Sequence, residues 1–294
     1  MKLVIRSLVV SAVLFISTGI IAFAQPNKKQ RSKGGPGRDK FLNTQWWVGI
    51  RAGGSLTKAK PVERFSTFSS TVDPATDDYD KDYQNFNKSG GNAGIEITYY
   101  HQGFSLSFQP NYRRMSFIYT NEYTWLDPNE SNYSFIANYK SIHKLDYFEL
   151  PLLVRYEPLQ TKFRPFVQVG IYYAFLNNAY KETEIKIRDN TSGSTNEYTQ
   201  EKITVGAKDL FITSNMGWIA GGGVSYPLGN VRLSLDISYR RNTNNITSVA
   251  NRYANERITG SGDIMDDIKL RNLSASVAVL IPLRFIMKSS FKAE

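Results

Sequence analysis

The chain has 294 residues, 36 Lys plus Arg against 26 Asp plus Glu, a formal charge of +10 and no cysteine. The missing cysteine excludes disulfide staples and thiolate metal sites, and no apolar run after residue 24 is long enough for a spanning helix, which excludes an α-helical membrane protein. The charge excess would suit a nucleic-acid binder, but its placement argues otherwise: Lys28, Lys29, Arg31, Lys33, Arg38 and Lys40 crowd into one Gly-rich stretch whose only acid is Asp39.

Residues 1–24 read as a secretory signal. Lys2 and Arg6 give a positive start, residues 8–23 are apolar, and Ala22-Phe23-Ala24 is a small-residue cleavage site, so the mature chain is expected to begin near Gln25. A retained anchor is the alternative, and the apolar run is short for one. An exported chain has little occasion to meet nucleic acid, so no nucleic-acid partner is expected. Residues 25–45 are read as a disordered basic periplasmic tail. It is either a solvated tether or an arm for anionic lipid heads or an acidic partner.

From residue 46 to 285 the sequence predicts eight amphipathic strands, at about 46–56, 91–100, 104–120, 145–156, 163–175, 211–226, 231–240 and 268–285. The connectors alternate. Those at 101–103, 157–162 and 227–230 are short; those at 58–89, 121–138, 181–209 and 245–267 are long. Short turns at one end and long loops at the other are the plan of a transmembrane β-barrel. In the seventh strand Val231, Leu233, Leu235, Ile237 and Tyr239 alternate with Arg232, Ser234, Asp236, Ser238 and Arg240. In the third, Pro110 falls on the apolar parity and predicts a bulge or local distortion; beyond Arg114 the parity is expected to slip. Gly221-Gly222-Gly223 in the sixth permits sharp curvature.

Parity alone does not separate a membrane barrel, polar inside, from a soluble one, apolar inside. The loop asymmetry and the aromatic strand ends, such as Trp46-Trp47, favour the membrane. The expected fold is therefore all-β: an eight-stranded antiparallel up-and-down transmembrane β-barrel over residues 46–285 with four long extracellular loops and a tail, 286–294. Eight strands enclose a lumen that side chains fill.

Tyr147-Phe148-Glu149-Leu150-Pro151-Leu152-Leu153-Val154-Arg155-Tyr156, then Arg164-Pro165-Phe166-Val167-Gln168-Val169-Gly170 and Gly221-Gly222-Gly223-Val224, together resemble the PorT-like outer-membrane β-barrel family of the Bacteroidetes. In that family "Y-x-E-[IL]-P-[IL]-L-x-[KR]" is followed by "P-[YF]-x-x-x-G". The resemblance spans about residues 46–285. It implies a bacterial outer-membrane location, and a named member tied to type IX secretion and gliding, while many members have no assigned role. One departure is the end of the chain. Many outer-membrane barrels finish on an aromatic residue, whereas Phe285 is followed by nine more residues that include Phe291.

Arg51, Glu96, Glu149, Arg155, Arg232 and Asp236 share the lumen parity. Buried charge is costly unless paired, so they are expected to form a carboxylate–guanidinium network, with a proton or ion path as the functional alternative. Asp78, Asp80 and Asp82 have the D-x-D-x-D spacing of a calcium loop. Tyr83 stands where that loop needs Gly, and Ser89 where it needs Glu. Asp263, Asp266 and Asp267 are a second acidic group, and the expected reading of both is a solvated loop, with no metal and no cofactor. His143 with Ser141 or Ser214 is the one candidate for nucleophilic chemistry, and no enzyme is expected. Tyr79, Tyr83, Tyr123, Trp125 and Tyr133 are candidates for loop recognition; otherwise they extend the wall as a β-rich rim. The expected function is a docking or accessory barrel of an envelope or secretion complex, set in outer-membrane lipid. The alternative is a surface binder of ligand or host material.

Overall fold

Alternation of period two pins which face of a strand is buried, and each predicted strand is found, the third of them in two pieces. The computed structural model describes residues 44–65, 81–127, 129, 133–159, 161–191, 194–228, 230–252 and 264–283. They belong to one unit, Asn43–Glu294; the other unit, Met1–Leu42, lies outside the described residues. The expected signal segment, all but the last two residues of the basic tail, and the C-terminal tail with Phe285 and Phe291 fall outside as well.

The described strands are β1 (Thr44–Glu63), β2 (Asp82–Tyr83), β3 (Lys88–His101), β4 (Phe104–Phe108), β5 (Asn111–Leu126), β6 (Ser134–Tyr156), β7 (Arg164–Asp189), β8 (Asn196–Thr199), β9 (Ile203–Gly206), β10 (Ser214–Leu228), β11 (Val231–Asn242) and β12 (Asp267–Pro282). Their pairings are antiparallel and form a ring. β1 pairs with β3; β4 and β5, in line, pair with β3 and β6; then follow β6–β7, β7–β10, β10–β11, β11–β12 and β12–β1. Counting β4 and β5 as one interrupted strand, eight strands close a barrel, as the sequence predicts.

The polar parity is inside. Arg51, Glu96, Glu149, Arg155, Arg232 and Asp236 are buried, whereas Ile50 is 67% exposed, Val167 61% and Ile237 59%. A soluble barrel would reverse both sets.

Local chemistry sets the turns and breaks. At the short-turn end His101 faces Phe104 across a two-residue turn, with φ of 48° at Gln102 and 92° at Gly103; positive φ at both positions suits the twist of a hairpin. Pro110 interrupts the third wall strand without a bulge: Ile97 faces Phe108 and Gly94 faces Asn111, so no residue is inserted. Ile95 N donates to Pro110 O (3.0 Å) and Gln109 N to Pro151 O (3.0 Å), and neither proline has an N–H to return. The Asn111 side chain donates to Gln109 O instead (2.8 Å). Gly221 and Gly223 permit close approach of β11. A Cβ at Gly223 would lie 2.1 Å from Leu235 O.

Two expectations need correction. The parity of β5 does not slip beyond Arg114: Met115, Phe117 and Tyr119 stay inside with Arg113, and it is the lumen that turns apolar. The strands also run further outward than expected. β5 and β6 pair up to Leu126 and Ser134, and β7 continues to Asp189, where it pairs with β8 and β9. The second and third long connectors are therefore largely strand.

Candidate functional site: the filled lumen and the outer rim

Inward side chains stack in layers from the short-turn end outward. In the first layer Arg232 bonds Glu157 and Ser225 (2.8 Å to Ser225). Its guanidinium lies 5.8 Å from the Trp47 ring centroid and 5.5 Å from that of Tyr100, distances suited to cation–π attraction.

The second layer is the densest. Arg51 donates to Glu96 Oε2 (3.1 Å) and to Asp236 Oδ2 (2.8 Å). Arg155 reaches Glu96 Oε1 (3.5 Å) and Gln168 Oε1 (3.1 Å), and Gln168 Nε2 donates to Asp236 Oδ1 (3.3 Å). Thr98 and Ser107 also donate to Glu96. The remaining face of Arg155 covers the Phe166 ring at 4.0 Å. In the third layer Glu149 accepts from Arg113 (2.9 Å) and Arg240 (2.7 Å), and Arg113 also donates to Ser274 (3.0 Å). Each carboxylate thus meets at least one guanidinium. Buried ions need such pairing, because an unpaired one keeps its full desolvation cost.

Outward of the charges the lumen is an apolar plug. Tyr147, Tyr172, Met115, Phe117, Tyr119, Phe211, Ile268 and Leu270 belong to one buried cluster. Asp266 closes the outer mouth, accepting from Lys81 Nζ (2.9 Å), Tyr83 OH (2.8 Å) and Phe65 N (2.9 Å).

All six predicted network residues are inside, but not in one cluster. Arg51, Glu96, Arg155 and Asp236 meet; Glu149 and Arg232 serve the layers on either side. Their partners Arg113 and Arg240 were legible from parity. Glu157 was not, because it reads as part of a turn. Tyr83 is corrected: it is 8% exposed, packed on Tyr119 at 5.2 Å between centroids, and is no loop-surface residue. Tyr79, Asp78, Asp80 and Asp263 lie outside the described residues. Asp266 and Asp267 are not solvated acids; they are bound by Lys81 and Arg252 respectively. His143 is buried, stacked on Phe117 (4.8 Å) with its edge toward Phe211. Ser141 bonds Thr183 (3.2 Å), and Ser214 sits on the outward parity opposite Phe175.

Beyond the apolar belt, β5–β8 form a rim with two faces. One carries Ala137, Ile185 and Ile187 with half-buried Tyr123, Phe135 and Tyr139 packed on them. Trp125 pairs with Phe135 at the hairpin end, and Tyr133 O accepts from Asp127 N. The other face is charged, and includes Lys140, Lys186, Glu184 and Glu197. There the hydrogen bond from Lys144 holds the Glu182 carboxyl below the usual range.

Residues 23–248 match the family described as outer membrane protein beta-barrel domain. No curated protein matches the chain in sequence. Solved structures it is similar to include Ail, the attachment invasion locus protein of Yersinia pestis (10% identity, 81% of this chain and 99% of that one, TM-score 0.26). Neisserial surface protein A is another (16%, 80% and 96%, 0.27), and the translocator domain of the autotransporter NalP from Neisseria meningitidis a third (10%, 81% and 87%, 0.22). Membership rests on the sequence match, which spans most of the chain, and on the closed ring with its apolar exterior: this chain belongs to the outer membrane protein beta-barrel domain family.

Proposed function

We propose that the protein is a non-enzymatic outer-membrane barrel that docks other proteins, as an accessory of an envelope or protein-secretion complex of the type IX kind that the PorT-like, Bacteroidetes-like sequence suggests. The supporting observation is the rim. β8 is exposed at every residue and, among the described residues, pairs only with β7, so its second edge is open. An open edge offers main-chain donors and acceptors to an added strand, and Tyr198 stands exposed on it. A lumen filled with paired charge and aromatics leaves little room for transport. The burial of His143 among aromatic rings favours packing over chemistry for that residue. Residues 1–24 fit export with cleavage near Ala24, which N-terminal sequencing of the purified protein checks.

The test is purification from outer membranes in mild detergent, with mass spectrometry of whatever stays bound. Stoichiometric envelope proteins, lost when residues 195–205 are replaced by a short Gly-Ser turn, support docking. A lone barrel overturns it. A recess of about 850 Å³ lined by Thr120, Tyr139, Lys140, Lys186, Arg188 and Tyr198, among others, favours the second reading, a surface binder of ligand or host material. Binding that survives Lys186→Ala with Tyr198→Ala would remove that reading.

A further inference from the structure

On β1, β11 and β12 the outward parity passes directly from apolar side chains to cations. Leu56, Leu273 and Tyr239 share one row, with Leu273 opposite both of the others. In the next row outward, Lys58 and Arg241 both stand opposite Arg271, and one row beyond that Lys60 stands opposite Lys269. Like charges directly opposite one another destabilise a sheet. Among the described residues, none of these five cations has a hydrogen bond or ion pair. The acids of the following row, Glu63 and Asp267, face each other, and Asp267 is already held by Arg252. Lys60, Arg241, Lys269 and Arg271 line a recess of about 300 Å³ with Pro61 and Val62.

The opposite side of the barrel shows the contrast. There Lys144 bonds Glu182, Arg188 bonds Glu197 and Lys186 lies near Glu184. Among the described residues, Lys140 on that side has no ion pair either, but it stands opposite an acid, Glu184, whereas the cations of the β1–β12–β11 patch, at the outer edge of the lipid-facing surface, stand opposite one another.

We propose that this patch binds the phosphorylated headgroup of an outer-leaflet lipid, whose acyl chains lie over Leu56, Leu273 and Tyr239. A phosphate between opposed guanidinium and ammonium groups turns their repulsion into charge-assisted hydrogen bonds. The apolar row beneath distinguishes a lipid from free phosphate, which would gain nothing from it.

The intact barrel in neutral detergent is presented with bisphosphorylated lipid A or its dephosphorylated form, and bound lipid is counted by native mass spectrometry. Wild type is expected to prefer the phosphorylated form by about tenfold or more. Combined Lys60→Gln, Arg241→Gln and Arg271→Gln should abolish the preference, and Lys140→Gln with Lys186→Gln should leave it. Equal binding of the two lipids by wild type, an arm that needs no variant to fold, overturns the proposal. Displacement of the lipid by equimolar inorganic phosphate overturns it too, since the site would then belong to the free anion.

Discussion

Glu149 neutralises two guanidiniums, those of Arg113 and Arg240, in a layer walled off from solvent. Removing one partner from a buried ion cluster leaves the others desolvated and uncompensated, at a cost of about 3–5 kcal/mol. Glu149→Gln should therefore lower stability by that order in urea unfolding of the barrel refolded into vesicles. Glu197→Gln removes an exposed pair with Arg188 and should cost less than about 1 kcal/mol. Comparable losses for both variants would mean that the layer is solvated. The network was legible in the sequence because charged residues on a strand parity that faces inward have only each other to meet. Its division into layers was not, because strand stagger sets which residues share a height. Tyr83 was misread for a related reason. It lies in a long connector, and only the pairing of β2 with β5 carries it into the barrel mouth.

At the scale of the strand, Pro110 and Pro151 each withhold a donor at the seam between β4 and β5, and Asn111 fills one of the two gaps. Asn111→Ala leaves the Gln109 carbonyl without that donor and should cost about 1–3 kcal/mol. Pro151→Ala restores a main-chain N–H facing that carbonyl, so the double variant should recover part of the loss in a mutant cycle. Strict additivity would refute the compensation. Gly223→Val is a harsher case. Its Cβ would collide with Leu235 O and approach Phe166 Cζ at 2.7 Å, and the barrel should fail to reach its heat-resistant folded band on unheated gels. The membrane halves of the strands were readable because apolar-out, polar-in alternation is enforced there by lipid. The outer halves were not. Above the belt the apolar side chains move to the opposite face from the lipid-facing one and charges take the outer face, and in β7 a bulge at Asn177 reverses the parity between Leu176 and Ala179.

For the whole molecule, three charged layers, an apolar plug and the Asp266 cap lie in series along one lumen. Eight strands enclose only enough space for such side chains, and each layer is closed by its own interactions. Opening one layer therefore leaves the others shut. Reconstituted in planar bilayers, the wild-type barrel should give no stable conductance steps. Phe117→Ala with Tyr119→Ala should still give none, because the Glu149 and Glu96 layers remain. Only a variant that also removes charge from both of those layers should admit ions, and at a cost in stability that shows first as unfolding. Steady unitary currents from wild type would mean that the layers exchange partners around water, and the paired charges would then be a path rather than a filling.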